Sequence, residues 1–433
     1  MRTSFSMALE RVRGVAVMTV LALAGSGTLA GAQQPNASVA AAGLGGFTAL
    51  ARGYNAVAWN PANLALSGNP SFSITIVPFG GNGSLNPITL GDIKDVQDQT
   101  LVSKDTRQKW LDQVTAKGTE QGAVDLGVTQ LGLSMGSLGF QVGSTVYAVA
   151  NMNPDAVEAL LFGNAGKTGV LRSFNFKGSN LRGGAFTTAA VSYGFGMGDN
   201  KPGSSRTAFG VTAKYVIGHV TAIAQDAGST TDSNKVNLVF PIVHTSTDDV
   251  ANSGNGFGAD IGFSWQADQL TFGAAVQNAF NTFTWDTSKL RFRPGTATFD
   301  ANGGNAKFDD TTYALAPASM KTIVENNKFK PTISAGIAYE FAKDITFTAD
   351  GRQQLSDDQS IVIGPKTQVG GGIEYRGIPM LPLRVGAAYI TGGTAFSGGV
   401  SLHIGGYELG GAVTIRQGDN KGSGTLLSLF SIR

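Results

Sequence analysis

The sequence predicts an all-β protein: a transmembrane antiparallel β-barrel of about fourteen strands, with sixteen possible, and short helical insertions. Three observations predict it. Charged residues make up only 14% of the chain, against about 25% in typical soluble domains. Gly accounts for 60 of 433 residues, about twice its usual share. Beyond the N-terminal leader, no segment reaches the ~18 uninterrupted apolar residues of a spanning helix. Apolar positions are instead spread out at a period of two.

The first 32 residues read as a leader. Arg2, Arg11 and Arg13 precede the apolar run "GVAVMTVLALAG" and the small-residue exit Ala30-Gly31-Ala32. This is the pattern of a secretory signal peptide, with cleavage expected before Gln33. An N-terminal membrane anchor is the alternative, but the apolar stretch falls short of a span. Removing the leader takes away three Arg and one Glu, a net +2, from a chain of net +2, so the mature protein is formally neutral. Neutrality argues against nucleic acid, which needs a concentrated basic surface. With no Cys, a disulfide framework, thiolate metal ligands, a Cys nucleophile and a lipidated Cys are all excluded.

Residues 33–70 are assigned to the plug and 71–433 to the barrel. In "GFGADIGFSWQ", Phe257, Ala259, Ile261, Phe263 and Trp265 alternate with Gly258, Asp260, Gly262, Ser264 and Gln266. "TISAGIAYEF", "FGVTAKYVI", "LTFGAAVQ", "ITFTADGR", "VGGGIEYR", "LRVGAAY" and "YELGGAVTIR" follow the same rule. "LGFQVGSTVYAVA" follows it more loosely. Such alternation is the strand signature.

A soluble sandwich would bury the apolar face; a membrane barrel turns it to lipid. Strand lengths near ~9–11 residues favour the barrel. So do aromatics at strand ends (Trp265, Tyr339, Phe341, Tyr375, Tyr389, Tyr407), short polar turns, and a Gly-rich small face suited to lumen contents. Residues 88–118 read as a helical insert, with Ile93, Val96, Leu101 and Trp110 as spaced anchors. Residues 150–182, 226–255 and 285–328 read as long polar loops, expected on the extracellular side.

The segment "ARGYNAVAWNPANLAL" (51–66) is neither strand nor surface helix. Asn60 suits a helix cap and Pro61 a first helical position, where its missing N–H costs nothing. The many alanines make a slim element. With the preceding Leu it resembles the segment that opens the long-chain fatty-acid channel (FadL) superfamily, which has PorV-like and TraF-like relatives. The closest likeness is to an uncharacterised branch, domain of unknown function 5723. There this segment precedes a strand, a helical insert, paired strands and an L-x-G-N stretch, here Leu161-Phe162-Gly163-Asn164. "VQNAFN" (276–281) and "LRVGAAYITGG" also fit.

The resemblance implies a fourteen-stranded barrel whose N-terminal segment folds inward as a plug, with Arg52, Asn55, Trp59, Asn60 and Pro61 as its motif. Arg52 is expected to pair with an inward carboxylate. An ordinary periplasmic start to strand one is the competing reading. The resemblance also implies a bacterial outer membrane of the Gram-negative type, its lipid, and its assembly machinery as partners. The C-terminus departs from the pattern, since Phe430 stands three places before Arg433 where such barrels end on an aromatic residue.

With apolar positions toward lipid, the inward charges are Lys214, Asp260, Glu340, Asp350, Arg352, Glu374, Arg376, Arg384, Glu408 and Arg416. Five are positive and five negative, whereas a strongly selective ion pore shows one sign. The balance points to ion pairs holding wall and plug; a headgroup site at Arg352, Arg376 or Arg384 is the other reading. "GNAGKTG" (163–169) lacks the first Gly of a phosphate loop, and "GNGFGADIG" is strand rather than a dinucleotide fingerprint. His219, His244 and His403 are isolated, without metal-ligand spacing. No local signature supports a Ser-His-Asp site. Asp309-Asp310 and Asp357-Asp358 read as loop solvation or weak calcium sites. No catalytic residue, metal or cofactor is expected. The function expected is a channel for small hydrophobic molecules. The alternative is a barrel that docks or assembles other proteins, such as a secreted partner. Few Leu, Phe or Met break the inward face of the later strands, which weighs against transport.

Overall fold

The computed structural model describes residues 38–432, apart from 100, 164–165, 171, 200–202, 232–234, 301–302, 357–358 and 419–420. The expected leader and Asp357–Asp358 lie outside the described residues.

Fourteen antiparallel strands close into a barrel. Strand β1 comes in two pieces, Phe72–Ile76 and Phe79–Asn86. The next six are β2 (Glu120–Met135), β3 (Leu138–Met152), β4 (Asn180–Gly198), β5 (Arg206–Gln225), β6 (Gly254–Ala267) and β7 (Leu270–Asn281). They are followed by β8 (Thr332–Ala342), β9 (Ile345–Gln354), β10 (Thr367–Tyr375) and β11 (Leu383–Ile390). Finally come β12 (Gly393–Ile404), β13 (Tyr407–Gly418) and β14 (Gly422–Ile432). Each pairs with the next, and β1 pairs with β14 through Ile74↔Ile432 and Phe79↔Leu427, which closes the seam.

The alternation is resolved in favour of the inverted pattern. Phe257, Ile261 and Val385 are 65%, 50% and 58% exposed, while Asp260 and Arg384 are each 3% exposed. Burying charge while exposing rows of large apolar side chains makes sense only where the outside is hydrocarbon. No helix among the described residues is long and apolar enough to cross a membrane; the strands do the crossing.

Because the strand number is even, both ends of the barrel chain emerge on one face. That face carries the tight turns at 136–137, 268–269, 343–344 and 405–406. The opposite face carries the long connections 87–119, 153–179, 226–253 and 282–331. The wall is uneven in height. Strands β2 to β5 have 16, 15, 19 and 20 residues, whereas β8 to β11 have 11, 10, 9 and 8.

The 88–118 insert folds as α1 (Leu90–Lys94), opened by a capping box between Thr89 and Asp92, and α2 (Lys104–Lys117), capped by Ser103. Trp110 and Val114 pack against Val157 of α3 (Pro154–Phe162), with Ile93 and Val96 at the edge. Leu101 is not an anchor: it is 76% exposed, in the link before the Ser103 cap and out of phase with α2. The long loops also build a separate five-stranded sheet, with Lys235–Val239 at its centre between Thr296–Asp300 and Thr230–Thr231.

Candidate functional site

The segment from Ser38 to Ser67 lies inside the barrel. It opens with a short helix, Val39–Leu44, capped by Ser38 and ended by Gly45 at φ 70°, a conformation that favours Gly. The turn Gly53–Asn55 and the single helical turn Ala56–Trp59 follow, then the 3-10 turn Pro61–Ala65. Asn60 caps this last element by accepting from the Ala62 N–H, with Pro61 at the first position.

The plug is fastened to almost every part of the wall. Asn60 Nδ2 donates to the Phe263 carbonyl (3.1 Å) and Ser264 Oγ (2.9 Å), and Ser264 Oγ donates to Asn63 Oδ1. Gln277 donates to the Ala58 carbonyl at 2.9 Å, Thr212 to Val57, and Arg206 to Ala65. Across the lumen, Asp350 accepts from the Thr48 N–H (2.8 Å) and hydroxyl (3.2 Å). Ser397 donates to Gly43, and Gln368 to Gly45.

Close approach demands glycine. A methyl group at Gly210 would overlap the Pro61–Ala62 peptide, and one at Gly262 would overlap the Asn60 side chain. At Gly127, nearer the loop face, nothing stands within 4 Å of the same position.

Of the plug motif, Asn55, Trp59, Asn60 and Pro61 are buried; Trp59 meets Phe47 edge-on at 6.0 Å. Arg52 does not make the expected salt bridge. Its Nη1 donates to the Ala49 and Ala51 carbonyls at 2.9 and 3.0 Å, and Glu340 acts on it only through its field. The plug's own carbonyls are nearer than any wall carboxylate, so the guanidinium folds back.

The other charges fall into groups. Lys214 pairs with Asp260 at 2.5 Å, and both bind Asn278, which sits at φ 52° where β7 slips against β6. Asp125, not singled out from sequence, accepts from Asn82 (2.8 and 3.1 Å) and lies in the field of Arg416. Asp350 acts on Arg352 in the same way. Toward the short-turn face, Arg384 binds Glu374 at 2.6 Å and Ser401 at 2.7 Å, and Ser401 donates to Glu408. Two residues depart from the inward set. Glu340 is exposed at the rim, where β8 slips against β9. Arg376 lies beyond the end of β10, its side chain 43% exposed, 3.4 Å from Glu374.

Nearer the loop face the lumen changes character. Tyr147, Phe186 and Val216, on the inner sides of β3, β4 and β5, pack with Val243, Phe283, Trp285, Leu290 and Phe292 from the loops. Met320 and Val324 of α4 (Ala318–Asn326) complete the cluster. Phe186 touches Phe283, Trp285 and Phe329 with centroids 5.5, 5.5 and 4.9 Å apart. Asn327 accepts from the Trp285 indole N–H at 3.0 Å, giving this packed cluster, the aromatic chamber, a polar point.

On β5, Val216 of the cluster lies four residues above Thr212, which donates to the plug at Val57, so cluster and plug are about 13 Å apart along the strand at ~3.3 Å per residue. Sequence reading missed the chamber because its residues come from loops taken as polar. The spacings Phe283-x-Trp285, Leu290-x-Phe292 and Met320-x3-Val324 were the signal.

The pairs of acids are not a calcium site where described. Asp310 binds Arg293 at 2.8 Å and His244 at 3.0 Å. No cluster of three or more metal-ligating side chains occurs among the described residues.

No curated protein matches this chain. Among solved structures, its fold is similar to two crystal structures of the P. putida toluene transporter TodX. They share 11% and 12% identity with it and a TM-score of 0.50 each, covering 93% of this chain and 99% and 98% of theirs. A Pseudomonas aeruginosa FadL homologue covers 93% of this chain and 99% of its own at 11% identity, with a TM-score of 0.48. At such identity the likeness to TodX speaks for the fold alone, a closed antiparallel barrel. A family described as of unknown function, DUF5723, matches residues 61–409, most of the chain, and the protein belongs to that family.

Proposed function

We propose that the protein is an outer-membrane channel of a Gram-negative-type bacterium that admits small hydrophobic molecules through its loop face. Cargo binds in the aromatic chamber, and the plug keeps the lower lumen closed to water and ions. The observation that carries this reading is the aromatic cluster itself. Among the described residues, the wall's buried inward rings, Tyr147 and Phe186, stand toward the loop face, where a hydrophobic ligand would be taken from outside between them and the loop rings. The name of the structurally similar TodX, a toluene transporter, supports the same cargo class. Below the chamber, paired charges and a hydrogen-bonded plug oppose an apolar solute, so cargo leaves through a gap in the wall or when the plug shifts.

The test is uptake of an uncharged aromatic dye into liposomes holding the full chain. Phe186→Ala and Trp285→Ala should each lower dye flux about tenfold, the equivalent of ~1.4 kcal/mol of lost dye contact. Heat-modifiable mobility on a gel reports whether the barrel still closes. Folded variants that pass dye at the parent rate would remove the chamber from the account.

A second reading, a docking or assembly barrel, is favoured by the well-built external loops: the five-stranded sheet and the packed pair α2 and α3. Under it, deleting that sheet abolishes capture of a secreted partner and leaves dye flux intact.

A further inference from the structure

The rings of the aromatic cluster carry three polar groups, and only two of them are paired. The Trp285 indole N–H donates to Asn327 Oδ1 at 3.0 Å. The Tyr147 hydroxyl is bonded to the same Asn327 side chain. The third, the hydroxyl of Tyr313, is buried and has no hydrogen-bond partner among the described residues. Tyr313 belongs to the long connection 282–331, and its side chain packs against the cluster.

The sequence on either side fixes it there. Thr311 and Thr312, just before it, pair with Phe292 and Arg291, and Phe292 is a member of the cluster. Tyr313 opens the 3-10 turn Tyr313–Leu315. Ala316, directly after that turn, and Met320 of α4 are buried in the cluster. Backbone pairing holds the ring on one side and apolar packing on the other, and the hydroxyl contributes to neither.

A buried hydroxyl whose hydrogen bond is unmade is destabilising, and phenylalanine would supply the same packing without that cost. A guest that pairs with the hydroxyl accounts for its presence. Burial, and after it the field of Glu325, hold the Tyr313 hydroxyl above the ordinary tyrosine range, so it keeps its proton. A phenolic O–H donates more readily than it accepts, because the ring draws on its lone pairs. The same Glu325 field opposes a negatively charged guest. The guest that fits is neutral, lies against the rings of Phe186, Phe283 and Trp285, and offers an accepting oxygen.

We infer that Tyr313 is a specificity residue of the cluster: it selects uncharged aromatic molecules that carry one hydrogen-bond-accepting oxygen, such as aryl ketones, over plain hydrocarbons. The inference rests on the cluster being the cargo site, and it narrows the cargo from small hydrophobic molecules to oxygen-bearing aromatics. Discrimination of this kind comes from the buried donor, which only the oxygen-bearing guest relieves.

The test uses the full chain in liposomes and two probes of one shape, acetophenone and α-methylstyrene, which differ in C=O against C=CH2. Affinities are referred to protein-free liposomes, which removes the difference in partitioning. The parent should hold acetophenone about tenfold more tightly than α-methylstyrene, the scale of one hydrogen bond made to a buried donor. The carbonyl stretch of the bound ketone should move to lower frequency. Tyr313→Phe should bring the two affinities together and remove the shifted band. It should also resist heat at least as well as the parent, since it deletes a hydroxyl that no side chain or carbonyl meets. A Tyr313→Phe protein that melts below the parent shows the hydroxyl already paired within the fold, by a structural water for instance, and overturns the inference. A ketone preference that survives in Tyr313→Phe does the same. Equal affinities in the parent with aromatic dye flux intact overturn this inference alone. Binding of neither probe, together with no dye flux, overturns the cargo site and this inference with it.

Discussion

The lower and upper lumen solve opposite problems with the same strands. Around the plug, the inner faces of β4, β5 and β6 present Gly194, Gly210 and Gly262, and the backbone of Pro61–Ala65 lies against them. Specificity there comes from hydrogen bonds to carbonyls and amides, as in Asn60 to Phe263 and Gln277 to Ala58. Higher on the same strands stand Phe186 and Val216, and the loops answer with Phe283 and Trp285. Directional bonds hold one peptide in one pose; ring packing is less directional and adapts to a small guest. On the proposed channel reading, the lower half serves as a seal and the upper half as a receptacle.

That contrast can be broken most severely at the seal. Gly210→Leu should exclude the plug, because the new side chain must occupy the Pro61–Ala62 backbone, while Gly127→Leu, facing open space, should leave it seated. Ion conductance in planar bilayers should rise sharply for the first and stay at the parent level for the second. Equal conductance from both would mean that the plug does not close the lumen.

The next effect in size is on stability. Arg384→Ala leaves the carboxylate of Glu374 without its 2.6 Å partner, and breaking such a buried pair typically costs about 3–5 kcal/mol. The midpoint of heat-modifiable mobility should fall while dye binding in the chamber persists. Lost dye uptake at unchanged mobility would instead make Arg384 part of a headgroup site.

The smallest effect lies outside the wall. The hydrogen bond from Arg293, and after it that from His244, holds the Asp310 carboxyl below its ordinary range. A depressed value stabilises the folded loop above the unfolded carboxylate's pKa, about 4, and that contribution is lost as pH falls through the folded value. Hydrogen exchange around Thr311–Thr312 should therefore quicken in acid, modestly given the exposure of the pair. Asp310→Asn should remove the pH dependence; an unchanged profile in that variant would assign it to another group.

The wall was legible in the sequence because membrane strands obey one rule on both faces. Phe257 and Asp260, or Val385 and Arg384, declare their sides by parity alone; the runs count to about fourteen strands with sixteen possible, and the structure has fourteen. The plug was legible through the resemblance of its segment to the opening of FadL-type barrels; Asn60-Pro61 adds a local cap signal for a short helical element, which needs no tertiary context. The chamber had neither advantage. Phe283, Trp285 and Met320 sit in segments whose Asp, Asn and Thr content reads as solvated loop, and their convergence depends on how those loops fold back over β3 to β5. Leu101 failed for the converse reason, since an apolar residue in a polar insert need not be in phase with the helix beside it. Arg52 shows a further limit. A buried cation can be satisfied by its own segment's carbonyls, which no charge pattern records.

One feature of the wall has a directional consequence. With an even strand count, the chain leading out of the plug joins β1 on the tight-turn face, within five residues of Ser67. Any handle by which the seal could be pulled is therefore presented to the compartment opposite the loops. A solute arriving from the loop side must cross the rings and the buried ion pairs before it touches that peptide, whereas a protein waiting beneath the barrel meets its tether at once. If the segment seals the lumen as proposed, its opening is mechanically biased toward control from within.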